Sequence, residues 1–239
     1  MFDLANTMNL RFVDLTYALN KNIPHWHDGC GFNNKITLDY SECDSDVKFR
    51  VQYLDMFAGI GTHMDAPSHC KINGTSIADI PLTDLIRPCI VINVENKAHE
   101  SYQCSVEDIE LFEQQYGQID QGIFVIIHTG WGKYWNITNK YRNNLLFPSV
   151  SIDAAKLLLS RNIVGIGIDT LSPDIDDSGF PVHKIMLEND KYIIENIANS
   201  DQLPAIGAYI IALPIKISDG TEAPIRLVGL VNQEYHFKA

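Results

Sequence analysis

The sequence predicts an α/β fold, a single domain over residues 1–239 with a mixed β-sheet and flanking helices. Three observations carry that expectation. Several apolar runs are continuous in Val and Ile, the pattern of strands covered on both faces. Helix patterns lie between such runs, and strand–helix alternation builds parallel pairings. Hairpin-like strands at both ends of the chain make the sheet mixed. No linker, repeat or low-complexity stretch divides the 239 residues, a length that one core can serve.

The elements follow in order. "LRFVDLTYAL" (10–19) and "KFRVQYLDMF" (48–57) read as the first strands. "CIVINV" (89–94) and "GIFVIIHT" (122–129) are dominated by Val and Ile. Between them "SVEDIELFEQQYG" (105–117) opens a helix at Ser105, with Asp108 at capping-box spacing, and stops it at Gly117. "SIDAAKLLLSRN" (151–162) has Ser151 as its N-cap and Ile152, Ala155, Leu158 and Leu159 on one face. "IVGIGID" (163–169), "AIGAYIIALPI" (205–215) and "IRLVGLV" (225–231) complete the strands.

Composition narrows the function. A hydrophobic content of 46% with 20% charged residues is ordinary for a soluble globular enzyme. A core of this size folds without a structural metal, so a metal site here would be functional. The net charge of -12 and the absence of a Lys/Arg cluster speak against nucleic acid or an anionic membrane as partner. No apolar run reaches a membrane span, and the first twenty residues lack the form of a signal peptide. Five cysteines, Cys30, Cys43, Cys70, Cys89 and Cys104, form no CxxC pair and no even-numbered disulfide set. The expected location is cytoplasmic.

The chemistry concentrates in "GIGTHMDAPSHC" (59–70). Gly59 and Gly61 permit positive φ and close backbone approach, and Pro67 stiffens the exit. In an extended segment His63 and Asp65, two apart, point the same way. Imidazole plus carboxylate suits Zn²⁺, Mn²⁺ or Fe²⁺ better than Ca²⁺. His69 can return to the same pocket as a ligand or as a general base. The remaining candidate ligands are His183, at the start of a short helical run after Pro181, and Glu195, an acid inside the apolar "YIIEN". A carboxylate buried there needs a cation or metal partner. Asp174, Asp176 and Asp177 read as turn and cap residues.

Together these residues resemble the cyclase family of metal-dependent hydrolases, which includes bacterial kynurenine formamidases and isatin hydrolases. The family's HxGTHxDxPxH pattern stands here as residues 59–69, and His183 and Glu195 keep its twelve-residue interval. "GIDTLSPD" (167–174), "HTGW" (128–131), "DGTEAPIR" (219–226) and the Trp of "IPHWHDG" (23–29) also look like family segments. The resemblance implies a fold of the swivelling β/β/α type in a homodimer or homotetramer. It implies His63, Asp65, His183 and Glu195 as metal ligands, His69 as catalytic acid/base and Trp26 in the substrate pocket. Zinc or manganese is the implied metal.

Two departures stand out. Gly59 replaces the first histidine of the pattern, which leaves one tightly bound ion per chain as the expectation, with Asp55 and Cys70 nearest to fill the vacancy. Cys70 stands where the family has an aromatic residue. It is expected as a small buried filler, a ligand or an oxidation-sensitive neighbour being the alternatives.

The implied reaction is hydrolysis of a non-peptide C–N bond in a small aryl-formamide. A metal-bound hydroxide, formed near neutral pH, attacks the carbonyl, and His69 shuttles the proton. Cyclic-amide hydrolysis of the isatin kind is the alternative, and so is a binding protein without catalysis. Elsewhere His25 and His27, which flank Trp26, read as exposed loop histidines with a place in the pocket as alternative. His99 and His236 read as surface histidines, and His128 as a packing residue with a supporting role at the site as alternative. Arg226 is expected to pair with one of the acids at 219–222, recognition of a substrate carboxylate being the alternative.

Overall fold

The structure, a computed structural model, describes residues 9–27, 29, 31–176 and 178–233. Cys30, Asp177 and His236 lie outside the described residues. The strands are β1 (Leu10–Asp14), β2 (Phe32–Leu38), β3 (Val51–Met56), β4 (His63–Asp65), β5 (Ile86–Asn93) and β6 (Gln103–Cys104). They continue as β7 (Phe124–His128), β8 (Ser149–Val150), β9 (Gly165–Ile168), β10 (Tyr192–Glu195), β11 (Ala208–Pro214) and β12 (Glu222–Asn232). The helices are α1 (Leu82–Leu85), α2 (Val106–Tyr116), α3 (Thr138–Arg142), α4 (Ile152–Ser160) and α5 (Pro181–Glu188).

The main sheet runs β1-β12-β11-β5-β7-β9-β10-β4, and β4 pairs again with β12. The strands from β12 round to β4 therefore close into a barrel-like ring. The pairings β5–β7, β7–β9 and β9–β10 are parallel and the others antiparallel, so the sheet is mixed as expected. Its closure was not foreseen. Among the described residues no helix is long and apolar enough to cross a membrane.

Both faces of the central strands are covered, which accounts for their unbroken apolar runs. Cys89, Val91, Phe124, Ile126 and Ile194 turn inward to one core. Ile90, Ile92, Val125, Ile127 and Ile166 turn outward to a second, where they meet Ile109 and Phe112 of α2, Leu158 of α4 and Met186 of α5. Each large side chain so buried contributes about 1.5–3 kcal/mol. Gly167 lets the inner core close: a Cβ there would lie 2.4 Å from Ile197 Cδ1 and 2.9 Å from Phe124 Cζ. The predicted caps form. Ser105 and Asp108 cap α2 reciprocally, and the Ser151 hydroxyl accepts from Ala154 N at 3.2 Å.

Two segments differ from expectation. The first strand ends at Asp14, not near residue 19, because the chain there turns towards the site: Tyr17 N donates to the Thr62 hydroxyl at 3.0 Å. The strand predicted at 48–57 forms as β3, but its partner β2, whose "FNNKITL" is largely polar, was missed. Together they make a two-stranded arm outside the ring, with Val51, Tyr53 and Leu54 exposed.

Short as it is, β4 closes the ring, and it is pinned at its entry. The Thr62 hydroxyl donates to the Asn196 carbonyl at 2.7 Å, and Asn196 Nδ2 donates to the Gly61 carbonyl at 2.9 Å. Thr62→Val keeps the shape while leaving the Asn196 carbonyl and the Tyr17 amide without this partner. Urea unfolding should show a loss of about 1–3 kcal/mol; an unchanged midpoint would mean that the closure is held elsewhere.

Candidate metal centre

The site is a product of strand register. His63 and Asp65 lie two apart on β4 and share a face, while Met64 between them points into the inner core. Residues directly opposite on paired strands also share a face. Across β4, Glu195 of β10 stands opposite His63, and Glu222 of β12 stands opposite Asp65. Three adjacent strands thus bring four polar side chains to one place. The fifth, His183, comes from the first turn of α5, just after Pro181.

Each imidazole has one nitrogen committed. His63 Nδ1 lies 2.9 Å from the Gly61 carbonyl, which can only accept, so Nδ1 carries the proton. His183 Nδ1 lies 2.8 Å from Asp174 Oδ2. Asp174 also accepts from Val182 N at 3.1 Å and His183 N at 2.9 Å, so it caps α5 and sets the ring together. The free Nε2 atoms both face carboxylates. His63 Nε2 is 3.5 Å from Asp65 Oδ1 and 3.3 Å from Glu195 Oε2. His183 Nε2 is 3.6 Å from Asp65 Oδ2 and 3.3 Å from Glu195 Oε1.

These spacings fit a shared cation. Tetrahedral ligands at about 2.1 Å from an ion stand about 3.4 Å apart, whereas direct charged hydrogen bonds are nearer 2.7–2.9 Å. Asp65 is 1% exposed, and neither of its carboxylate oxygens has a hydrogen-bond partner; Glu195 Oε1 has none either. Ligand atoms of His63, Asp65 and Glu195 all lie within 4.8 Å of one another, and so do those of Asp65, His69 and Glu222. Two imidazole nitrogens and two carboxylates suit zinc or manganese.

Without a cation the cluster holds protons instead. Burial works against a charged His63, but the Glu195 and Asp65 carboxylates outweigh it and raise the imidazole to about 10. His183 is likewise held well above the usual histidine value, the carboxylates of Asp174, Asp65 and Glu195 overcoming its burial. Burial first, then the charge of Asp65, pushes Glu222 up.

The other expected residues fall as follows. His69 lies in the cavity wall, with Nδ1 3.6 Å from Glu222 Oε2. Trp26 lines the same cavity of about 450 Å³, its ring tilted against Phe180 at 5.7 Å. Asp174 is a cap, as expected, and Asp176 is exposed in the turn before α5. His25 is not a surface histidine: it is buried, stacked on Phe57 at 4.8 Å, and lines the cavity. His27 is exposed and also lines the cavity, while His99 is exposed elsewhere. His128 is buried with Nδ1 2.8 Å from the Ser200 hydroxyl, away from the cavity lining. Cys70 is exposed on the cavity wall and not a buried filler. Arg226 pairs with Asp14 at 2.7 Å, not with the acids at 219–222, because β1 lies beside β12.

Glu222 is the residue that sequence reasoning missed. Neither Asp55, exposed on β3, nor Cys70 fills the room beside Gly59. A Cβ on Gly59 would lie 2.2 Å from Glu222 Oε1 and 3.3 Å from His63 Nε2. Gly59 thus leaves room for the Glu222 carboxylate in its present position, and it does not adopt the positive φ that Gly61 does at 62°. The available signals were the family-like segment "DGTEAPIR" and, within it, an acid that opens the apolar strand of "TEAPIRLVGLV".

Comparison with known proteins places the chain in context. The sequence profile of the Cyclase family matches residues 13–175. The isatin hydrolase of Roseibium aggregatum is 33% identical over 208 residues, spanning 80% of this chain and 79% of that protein. A kynurenine formamidase of Bacillus thuringiensis subsp. konkukian is 28% identical over 220 residues, spanning 91% and 96%. The solved structure of isatin hydrolase A from Labrenzia aggregata superposes with a TM-score of 0.87 at 28% identity, covering 96% of each chain.

Two outcomes follow from this geometry. Because both imidazoles are held protonated near neutral pH and a metal needs them neutral, Zn²⁺ binding at pH 7.5 should release about two protons per chain. Calorimetry in buffers of differing ionisation enthalpy measures that number, and affinity should rise with pH towards 10; release of none would show that the imidazoles are already neutral. Asp174→Ala, which frees the His183 ring, should weaken the metal roughly 10–100-fold in chelator competition. Unchanged affinity would leave Asp174 a helix cap alone.

Proposed function

Since the chain belongs to the cyclase family of metal-dependent hydrolases, we propose that it hydrolyses the carbon–nitrogen bond of a small planar amide. The observation that carries this reading is the pair of imidazole nitrogens facing unpartnered carboxylates at one end of an aromatic-walled cavity. His63, Asp65, His183 and Glu195 would hold one tightly bound divalent ion, zinc or manganese. Such an ion supplies Lewis acidity and an acidified water when bound.

The chain's own residues do the rest. Asp65 and Glu195 balance the cation's charge, so the site needs no other buried cation. With Nδ1 directed at Glu222, His69 keeps Nε2 to take a proton and return it to the leaving nitrogen. Trp26, Phe57 and Phe180 supply flat apolar walls for an aryl ring. Arg142 fixes that wall by donating to the His25 carbonyl at 2.7 Å and the Trp26 carbonyl at 2.9 Å. A proton-shuttling histidine in the cavity wall favours catalysis over a purely binding role.

Within this class the cavity favours a cyclic amide of the isatin kind. Among the described residues its lining contains no Lys or Arg to receive a substrate carboxylate. The second reading is an aryl-formamide such as N-formylkynurenine, supported by the kynurenine formamidase relatives. The protein is taken to act as one domain of the swivelling β/β/α type over residues 1–239, in the cytoplasm, as a homodimer or homotetramer. Its partner would be a small molecule, with no nucleic acid or membrane involved. The apolar side chains exposed on the β2–β3 arm support self-association.

Assay of the metal-loaded protein against isatin and N-formylkynurenine tests the substrate, and a higher kcat/KM for isatin is expected. The reverse order would make the formamide the substrate. His69→Ala should retain the metal and lose about 10²-fold or more in kcat. Loss of the metal instead would make His69 a ligand and require another base.

A further inference from the structure

Glu222 has no role in the family pattern of residues 59–69, yet it is the side chain that occupies the room left by Gly59. Its Oε1 would be 2.2 Å from a Cβ at position 59, so a glycine there and a glutamate here are sterically complementary. It stands opposite Asp65 across the β4–β12 pairing. Asp65 is fully enclosed, and both of its oxygens lack hydrogen-bond partners. One cluster of donors lies on its His63–Glu195 side and another on its His69–Glu222 side. Two carboxylates turned towards each other across adjacent strands repel unless a proton or a metal cation relieves them, and a cation seated between them can be shared by both.

Building on the metal centre described above, we propose that Glu222 is a cation ligand that replaces the donor residue 59 lacks. Asp65 is then shared between two seats. The first is the nitrogen-rich set of His63, His183 and Glu195. The second is oxygen-rich, formed by Asp65 and Glu222 with His69 at its rim, and it suits a hard ion that keeps much of its water, Mn²⁺ or Mg²⁺ in preference to Zn²⁺. The second ion is held more weakly than the first, having fewer protein donors.

Titration of the metal-free protein with Mn²⁺, followed by calorimetry and electron paramagnetic resonance, tests this. The wild type should take up two ions per chain, one tight and one weaker, with a spin-coupled spectrum when both are present. Glu222→Ala should keep the tight ion, which also shows that the variant is folded, and weaken the second roughly 10-fold or more. His183→Ala should weaken the tight ion instead. Gly59→His alone should fail to gain an ion, because its Cβ displaces the Glu222 carboxylate from its present position. Gly59→His combined with Glu222→Ala should recover two-ion binding, now with Zn²⁺ preferred at the second seat. A wild type that takes one ion, or a Glu222→Ala protein that still takes two with unchanged affinities, overturns the Glu222 assignment alone. A wild type that takes no ion overturns the metal centre itself.

Discussion

Two imidazole nitrogens that face carboxylates with their opposite nitrogens already spoken for set the terms for the rest of this molecule. The Gly61 carbonyl and the Asp174 carboxylate each claim one ring nitrogen of a histidine. What remains is a ring of lone pairs 3.3–3.6 Å apart, in a place where water is largely excluded. Such an arrangement is unfavourable unless positive charge enters it, as protons or as a metal. The fold spends its most constrained contacts on maintaining it. The Thr62–Asn196 clasp, the capping of α5 and the closure of the ring at β4 all converge there.

That closure also explains how three consecutive residues serve as an entire strand. β4 has β10 on one side and β12 on the other, so its backbone is satisfied on both edges despite its length. Packing reinforces the pairing. Met64 anchors the inner core while its neighbours in sequence turn to the site. Alternation along a strand is usually a device for separating core from solvent; here it separates core from chemistry.

Much of this was legible in the sequence, and the parts that were not share a physical reason. The capped helices and the apolar strands declare themselves through local spacing, so Ser105–Asp108, Ser151 and the Val/Ile runs were read correctly. His63, Asp65, His183 and Glu195 were identifiable by donor type and interval, and the structure brings all four together. Glu222 was not, because its place depends on which residue of β12 faces Asp65, a fact of register between segments far apart in the chain. The same blindness misassigned Arg226, whose partner Asp14 sits on a strand that is adjacent only in space. His25 and Cys70 were exchanged in burial for a related reason. The wall that covers His25 is Phe57, contributed by a segment 32 residues downstream, while the cavity that exposes Cys70 has no local signature.

The order of assembly is written into the closing strand. β4 leaves the ribosome long before β10 and β12, the two strands it must join, and until both arrive it has no partner on either edge. During synthesis the nascent barrel is an open sheet with exposed backbone donors and acceptors, the state most prone to pair with a neighbouring chain. The four donors of the first seat likewise do not coexist until residue 195 has emerged, and the ring does not close until residue 222 follows. Any metal held by these four residues would therefore be captured late in synthesis. The interval between the emergence of β4 and that of β12 sets how long the last seam stays unsealed.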